Sequence, residues 1–416
     1  MVRRLLLVVV AAACVAGCGS PGPGQPGVVS VPVARVRAVV APPDSAALRA
    51  GNSLFAGRLL SLLTGRQPTV ALSPLSISDA LAMTFAGARG ETASQLATAL
   101  DFILPSARLH DAFGGLNQAL AADNGPGVSL SIANALFGQR GTQFGQAFLS
   151  VLARDYGAGI QTVDFQHAHA AARAEINAWV AQHTQGKITN LLSASDVDAL
   201  TRLVLVNAVY LNAKWAMPFG KEATSPAPFH APGATVMVPT MSQTATLGYR
   251  RGHGYQAVEL PYRGGRLALD VLLPDRGRLP RLMRGLTSRG PLAALRGLKP
   301  TYLRVALPKL MLHTRFELAG ALKALGMPLA FMPGGADLSG IAGAPGDLFI
   351  GQVVHEAYIR VDEAGTEAAA ATGVTIEASS APAPPRINFD VNRPFVFVLR
   401  DTMTGAILFL GKVSRP

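Results

Sequence analysis

The segment from Glu363 to Pro385 constrains the fold more than any other part of the chain, because its sequence suits two different structures. Its Ala-rich and Ser/Pro-rich composition is typical of an exposed loop. From Thr366 to Ala378, however, every second residue is small, apolar or β-branched, while Glu367 and Glu377 lie on the other face of the period-two pattern. A strand of this kind can enter between existing strands without burying a charge. The sequence therefore predicts a loop that can also become a strand.

Two further segments have the pattern of strands, and each carries one polar residue that needs an explanation. Leu203-Val-Leu-Val-Asn-Ala-Val-Tyr-Leu211 is apolar and β-rich except for Asn207, as expected for a strand covered on both faces. In Val353-Val-His-Glu-Ala-Tyr-Ile-Arg-Val-Asp362, the alternation places His355 on the apolar face. A buried carboxamide without a partner costs about 1–3 kcal/mol. We therefore expect Asn207 to be hydrogen-bonded, with His355 as the candidate partner.

Several segments resemble the serpin family, in the order in which that family has them. They are the helix start at Ser73-Pro-Leu-Ser76, the two central segments, Leu303–Leu310, Phe316–Met327, the segment at Glu363, Phe389-Asp-Val-Asn-Arg-Pro-Phe-Val-Phe397 and Gly405–Val413. The resemblance runs from about Leu48 to Val413. It implies a mixed α/β, multi-layer domain with a large, mostly antiparallel central sheet, two smaller sheets and about eight to nine helices. It also implies an exposed reactive-centre loop at about residues 363–386.

The resemblance implies that the protein inhibits a serine-type endopeptidase as a suicide substrate. The target protease would cut the loop and form an acyl-ester, and the cut loop would enter the central sheet before the ester is hydrolysed. The inserting hinge would consist of small residues and their anchor: Glu363, Gly365, Thr366, Ala368, Ala369, Ala370 and Ala371. Counting the family's loop length from Glu363 places the reactive bond between Ser379 and Ser380, with Ala378 or Glu377 as alternatives. Small residues there favour an elastase-like or subtilisin-like target.

The resemblance also implies roles for buried residues of the central sheet. Ser73, Ser76, Asn207 and His355 match the shutter, where side chains bridge the strands that part to admit the loop. Trp215 matches the breach tryptophan, at the point where insertion begins. The eight-residue spacing from His355 to Glu363 also agrees with the family.

A non-inhibitory serpin that acts as a surface binding or scaffold protein is the alternative. Thr69, where many members carry Asn, and Asp390-Val-Asn-Arg393 depart from the family pattern. Against this alternative, the first inserting position, Thr366, is neither charged nor bulky. The chain lacks the Gly-x-Ser-x-Gly, His-Glu-x-x-His and Walker motifs and any paired cysteine cluster, so we expect no catalytic activity, no cofactor and no metal site.

The N-terminus has the pattern of an exported lipoprotein. Arg3 and Arg4 precede an apolar run, Leu5 to Val15, that is too short to span a bilayer. Val15-Ala-Gly-Cys18 resembles the bacterial lipobox. This implies a signal peptide over residues 1–17, lipidation of Cys18, and attachment to the cell envelope on its extracytoplasmic or extracellular side. A plain signal peptide or a short anchor is the alternative. Residues 18–44 are rich in Gly and Pro and are expected to form a tether, with the folded domain over 45–416.

The chain carries a formal charge of +12, and one basic run stands out. Its members, with no acid among them, are Arg276, Arg278, Arg281, Arg284, Arg289, Arg296 and Lys299. An anionic polysaccharide, nucleic acid or lipid headgroup would suit this run. An ordinary solvated face is the alternative and is favoured, because no aromatic residue interleaves with the charges as nucleic-acid stacking requires. We expect a monomer that binds its target serine protease covalently and no specific nucleic acid.

Overall fold

The computed structural model describes residues 27–33, 35, 38–65, 67–366 and 387–416. Within these residues lie nine α-helices: α1 (Pro42–Thr64), α2 (Pro74–Gly87), α3 (Gly90–Ala99), α4 (Ser106–Ala121), α5 (Gln146–Val151), α6 (Phe165–His183), α7 (Leu279–Arg289), α8 (Pro291–Ala294) and α9 (Ala319–Leu325). None of the helices in this described part is long and apolar enough to cross a membrane.

The strands of the described residues form two sheets. The strands are β1 (Gly27–Val29), β2 (Val70–Leu72), β3 (Val128–Gln139), β4 (Ile160–Val163), β5 (Leu203–Lys214), β6 (Thr224–Ala231), β7 (Ala234–Gly252), β8 (Tyr255–Pro261), β9 (Leu267–Pro274), β10 (Lys299–Pro308), β11 (Leu310–Glu317), β12 (Gln352–Asp362), β13 (Gly365–Thr366), β14 (Asn388–Asp390), β15 (Phe395–Asp401) and β16 (Ile407–Val413).

The first sheet has the strand order β1-β4-β3-β5-β13-β12-β11 and is mostly antiparallel. Its two central strands, β5 and β12, are parallel and pair directly over six residues, up to Val209 opposite Ala357. Beyond that point β13 lies between them, with Thr366 opposite Ala213 of β5 and Val361 of β12. The start of the predicted loop segment has therefore already parted the two central strands at one end.

The second sheet has nine strands in the described residues, with the order β14-β10-β7-β8-β9-β15-β16-β2 and with β6 paired to β7. The predicted mixed α/β fold, mostly antiparallel central sheet and helix number are confirmed. One detail differs, because the two smaller sheets of the prediction are joined into one. The 19-residue strand β7 joins them, since it pairs with β6 and β10 along most of its length and with β8 at its end.

Strand β5 separates two hydrophobic clusters. Its odd-numbered apolar residues belong to the main core between the sheets: Leu203, Leu205, Val209, Leu211 and Ala213. Its even-numbered residues Val204, Val206 and Ala208 belong to a second cluster with residues of α6. Because successive side chains of a strand point to opposite faces, β5 is apolar from Leu203 to Leu211 except at Asn207 for the reason predicted, which is cover on both faces.

Part of the segment predicted to be a tether is folded. Strand β1 pairs antiparallel with β4 at the edge of the first sheet, with Gly27 opposite Thr162. The main-chain NH of Ala38 donates a hydrogen bond to the Gln118 side chain of α4. Helix α1 begins at Pro42, before the expected start of the folded domain at residue 45, with proline in its first turn. A free tether over 18–44 is thus wrong for these residues, because an open sheet edge satisfies their backbone groups whatever their side chains.

Candidate functional site

The turn that leads from β12 into β13 is anchored by Glu363. Its carboxylate accepts hydrogen bonds from Lys309 Nζ at 2.8 Å and Thr224 Oγ1 at 2.9 Å. Burial disfavours the ionised carboxylate, but these hydrogen bonds and the Lys309 charge outweigh it and hold the pKa of Glu363 below its ordinary value. The main-chain carbonyl of Glu363 also accepts a hydrogen bond from the NH of Phe219 at 2.9 Å. The base of the hinge is therefore fixed by its side chain and by its backbone.

Gly365 and Thr366 carry the chain from this turn into the sheet. A Cβ atom on Gly365 would lie 2.0 Å from the carbonyl oxygen of Ala213, so only glycine fits there. Thr366 is 1% exposed, and its hydroxyl is hydrogen-bonded to the hydroxyl of Tyr262. Thr366, the first inserting position, therefore already lies inside the sheet.

Trp215, the predicted breach residue, lies directly at this entry point. Its indole Nε1 donates a hydrogen bond to the carbonyl of Asp362 at 2.9 Å, and its main-chain NH donates to the carbonyl of Ala364 at 3.0 Å. Its ring stacks on Tyr262, with ring centroids 4.4 Å apart and planes 11° apart. The stacked rings of Trp215 and Tyr262 thus hold both ends of the hinge turn, since Trp215 bonds to Asp362 and Tyr262 bonds to Thr366.

The four predicted shutter residues lie where β5, β12 and α2 meet. His355 stands opposite Asn207 in the ladder between the central strands, and both are fully buried. Nε2 of His355 accepts a hydrogen bond from the main-chain NH of Ser73 at 2.9 Å. The Ser73 hydroxyl caps α2 by accepting from the NH of Ser76. The Ser76 hydroxyl donates to Oδ1 of Asn134 on β3, which is opposite Asn207. The start of α2 therefore links β12 to β3.

Asn207 does not make the hydrogen bond predicted for it. Among the described residues, neither of its side-chain polar atoms has a partner, nor does Nδ1 of His355. The Asn207 carboxamide therefore does not bond to His355 as expected, because Nε2 of His355 accepts from the main-chain NH of Ser73 instead. An unsatisfied buried polar group costs about 1–3 kcal/mol. Because Nε2 of His355 accepts a hydrogen bond, its Nδ1 carries the proton, so the centre of the shutter lacks a donor for Asn207 Oδ1 and acceptors for Asn207 Nδ2 and His355 Nδ1.

Behind the shutter lies a buried carboxyl network that the sequence pattern did not predict. Asp79 of α2 accepts hydrogen bonds from Asn134 Nδ2 and Asn117 Nδ2, each at 2.8 Å. Burial raises the pKa of Asp79 above its ordinary value, and the two amide hydrogen bonds oppose this rise. Asp79 in an apolar helix and Asn134 in an apolar strand were visible as exceptions in the sequence. Tyr262 gave no such signal, because its role depends on a contact with Trp215 that only the fold creates.

The remaining predicted site residues lie outside the described residues. They are the hinge alanines Ala368, Ala369, Ala370 and Ala371, the reactive-bond residues Ser379 and Ser380 with their alternatives Ala378 and Glu377, and the lipidation residue Cys18.

Because His355 is buried, we expect the folded protein to lose stability in acid. Burial lowers the pKa of His355 to about 3, whereas an unfolded histidine titrates near 6.5. Below pH 6.5 the unfolded chain binds a proton at this histidine, whereas the folded chain does not. The free energy of unfolding therefore decreases as the pH is lowered, by about 2 kcal/mol between pH 6.5 and 5. Denaturant unfolding measured at both pH values should show this loss, and it should be smaller in His355→Gln.

The matched control for this prediction is His169→Gln, because His169 is exposed. It should keep the full acid dependence. Burial also lowers the pKa of His110, to about 4, so part of the dependence should persist in His355→Gln. Equal acid dependence in His355→Gln and the unsubstituted protein would contradict the assignment of a neutral buried His355.

Comparisons with known proteins agree with this geometry. The family model described as "Serpin (serine protease inhibitor)" matches residues 50–416. The chain is 40% identical over 385 residues to the leukocyte elastase inhibitor of Bos taurus, covering 89% of this chain and 99% of that protein. It is 35% identical over 430 residues to an uncharacterized serpin-like protein of Thermococcus kodakarensis, covering 100% of this chain and 99% of that protein.

A solved structure is similar over nearly the whole chain as well. The thermophilic serpin tengpin, in its native state, superposes with a TM-score of 0.84 at 27% identity, covering 94% of this chain and 100% of tengpin. The parted central strands, the buried threonine between them and the polar cluster beneath them are thus found in a chain whose sequence and fold both match one family. The chain belongs to the serpin family.

Proposed function

We propose that the protein inhibits a serine protease as a suicide substrate. The serine hydroxyl of the target attacks the carbonyl carbon of the reactive bond, the peptide bond breaks, and the new amine leaves with a proton. The protease then stays attached to the cut loop as an acyl-ester. If the loop enters the sheet before water hydrolyses the ester, the protease is carried along and remains trapped. The observation that supports this most directly is Thr366, already buried between β5 and β12.

The register of β13 indicates how the rest of the loop would enter. Each step beyond Thr366 moves one residue back along β5 and along β12. An extended β13 would therefore run to the start of both strands and take up residues 365–376. To do so it must separate the existing pairs between β5 and β12, from Val209–Ala357 onwards. Insertion thus exchanges one parallel pairing for two antiparallel ones.

The pattern of the loop fits this path. In the extended ladder, even-numbered loop residues pair with odd-numbered residues of β5, whose side chains face the main core. The small or β-branched face from Thr366 to Ile376 would therefore be buried, and Glu367 would face away from the core. Insertion on this register buries no charge, which keeps its cost low.

The shutter gives the inserted loop a second source of stability. Six steps beyond Thr366, the extended ladder places Thr372 between Asn207 and His355. A hydroxyl both donates and accepts hydrogen bonds, and the side chains of these two residues hold buried polar atoms without partners among the described residues. Thr372 is thus suited to supply what the shutter lacks before insertion.

For the target, we propose an elastase-like or subtilisin-like protease that cuts between Ser379 and Ser380. The small side chains on both sides of that bond suit a shallow specificity pocket. The relatives named leukocyte elastase inhibitors support the same class. If the reactive bond lies one or two residues closer to Glu363, the cut would follow Ala378 or Glu377 instead.

Trapping is expected to leave a covalent product. Incubation of the purified protein with pancreatic elastase or subtilisin should give a complex that survives boiling in SDS. Its mass should equal that of the protease plus this chain less the released C-terminal peptide. The mass of that peptide identifies the reactive bond, with residues 380–416 expected. A protease whose catalytic serine is replaced by alanine is the control and should give no such complex.

Two other outcomes would change the proposal. Complete loop cleavage without any adduct, across several proteases that prefer small residues, would favour the non-inhibitory alternative, in which the loop is only a substrate. Adducts with trypsin-like proteases alone would keep the trapping mechanism and reject the proposed target class.

A further inference from the structure

The basic run that the proposed function leaves unexplained lines a concave part of the surface. A cavity of about 220 Å³ lies between α7 and the turn that joins β7 to β8. Arg281 and Arg289 of α7, Arg250 at the end of β7, and His253 in the turn all line it. Gly285 lies on the same side of α7 and leaves room for the Arg289 guanidinium, one nitrogen of which is 3.3 Å from where a Cβ would be.

The three arginines of this cavity form no ion pair with any described residue. In the described part of the chain, no carboxylate lies within ion-pair distance of Arg250, Arg281 or Arg289, whereas the adjacent Arg251 pairs with Asp275 at 3.2 Å. Arg250 is nevertheless held in place, because it donates to the carbonyl of Arg296 and lies over the Tyr255 ring. Like charges that converge without a counter-ion repel one another. The cavity therefore favours an anion.

A second cavity continues the first. Its volume is about 490 Å³, it lies between α1, α7 and α8, and Arg289 and Ala293 line both cavities. Arg49 and Arg296 contribute further guanidinium groups, and neither has an acidic partner among the described residues. Arg400, also in its wall, is paired with Asp270 at 2.8 Å and with Glu259 at 2.5 Å. The two cavities thus form one basic groove with Arg289 at its centre.

We propose that this groove binds a soluble polyanion that carries at least two phosphate or sulfate groups. A guanidinium group offers paired donors that match the oxygens of such groups. One anionic group would lie among Arg250, Arg281 and Arg289, and the next between Arg49 and Arg296.

The geometry distinguishes this ligand from two other polyanions. A membrane surface is flat, whereas these arginines line concavities, and no large apolar side chain is exposed along α7 or α8 to anchor a bilayer. Single-stranded nucleic acid needs an aromatic face for stacking. Tyr255 lines the first cavity, but its ring is covered by Arg250 and its hydroxyl bonds to the carbonyl of Ala294.

The test uses inorganic tripolyphosphate as the probe and calorimetry on the purified protein. Arg289→Gln should weaken binding by at least about tenfold and lower the slope of log affinity against log salt by about one. Arg284→Gln is the matched control, because Arg284 is also an exposed arginine of α7 but lines neither cavity. It should change the affinity less than about twofold.

Several results would overturn the proposal. Equal losses in Arg289→Gln and Arg284→Gln would indicate a diffuse basic surface rather than a groove. No binding of tripolyphosphate at millimolar concentration, or tighter binding of anionic vesicles or of single-stranded DNA, would reject the ligand class. If Arg289→Gln does not fold, Arg49→Gln in α1 and Arg281→Gln in α7 decide the question by the same comparison.

Discussion

Thr366→Arg is expected to abolish the covalent complex while the target protease still cuts the loop. Thr366 is 1% exposed between the two central strands and bonds to Tyr262. An arginine there must either bury an unpaired charge or stay outside and block the parting of β5 and β12. Burying an unpaired charge costs several kcal/mol, and an added barrier of about 3 kcal/mol slows insertion by more than about a hundredfold. Hydrolysis of the acyl-ester would then be faster than insertion of the loop, and the protease would be released. Gel analysis of adduct against cleaved product measures this ratio.

The matched control for this experiment is Glu367→Arg. It places the same side chain one residue further along, on the face of the loop that would point away from the core. It should preserve the adduct. Loss of the adduct in both variants would mean that a general effect of charge, and not the buried face of an inserting strand, controls trapping. Full retention of the adduct in Thr366→Arg would refute insertion at this site.

The sequence predicted the parts of this site that depend on local pattern. Period two in the loop, the apolar strand around Asn207 and the alternation around His355 are all properties of a few consecutive residues, so each could be recognised alone. The structure places Asn207 and His355 opposite each other on the paired strands β5 and β12. Composition also predicted that the loop is exposed, but two of its four described residues, Gly365 and Thr366, form a buried strand.

What the sequence could not predict depends on contacts between residues far apart in the chain. Tyr262 lies 104 residues from Thr366, and their hydrogen bond leaves no trace in either local sequence. The partner of His355 is a backbone NH of Ser73, and any residue would supply that group. Strand β1 was missed for a related reason, because it pairs through its backbone and has only three residues. A tertiary contact made by the main chain carries no side-chain signature.

Cleavage of the loop is expected to raise the melting temperature sharply. Gly365 and Thr366 already lie in the first sheet as β13, so insertion would add residues 367–376, about ten more, to its centre, each with hydrogen bonds to β5 and β12. At roughly 0.5–1.5 kcal/mol per net hydrogen bond, the gain is on the order of 10 kcal/mol. For a domain of this size, that corresponds to a rise of about 10–15 °C. The gain in hydrogen bonds at the shutter adds to it, because Asn207 and His355 would acquire a partner in Thr372.

Thermal unfolding before and after limited proteolysis of the loop measures this rise. Thr366→Arg is the control, since its loop is cut but should not insert, so its melting temperature should stay the same or fall. A second comparison isolates the shutter, because Thr372→Val keeps the shape of the inserted residue but removes its hydroxyl. The melting temperature of that variant should rise less on cleavage. The stabilisation gained should be smaller by about 1–3 kcal/mol, the cost of leaving the Asn207 and His355 groups unsatisfied. If cleavage leaves the melting temperature of the unsubstituted protein unchanged, the cut loop does not enter the sheet, and the parted strands at Thr366 are then only a fixed feature of the fold.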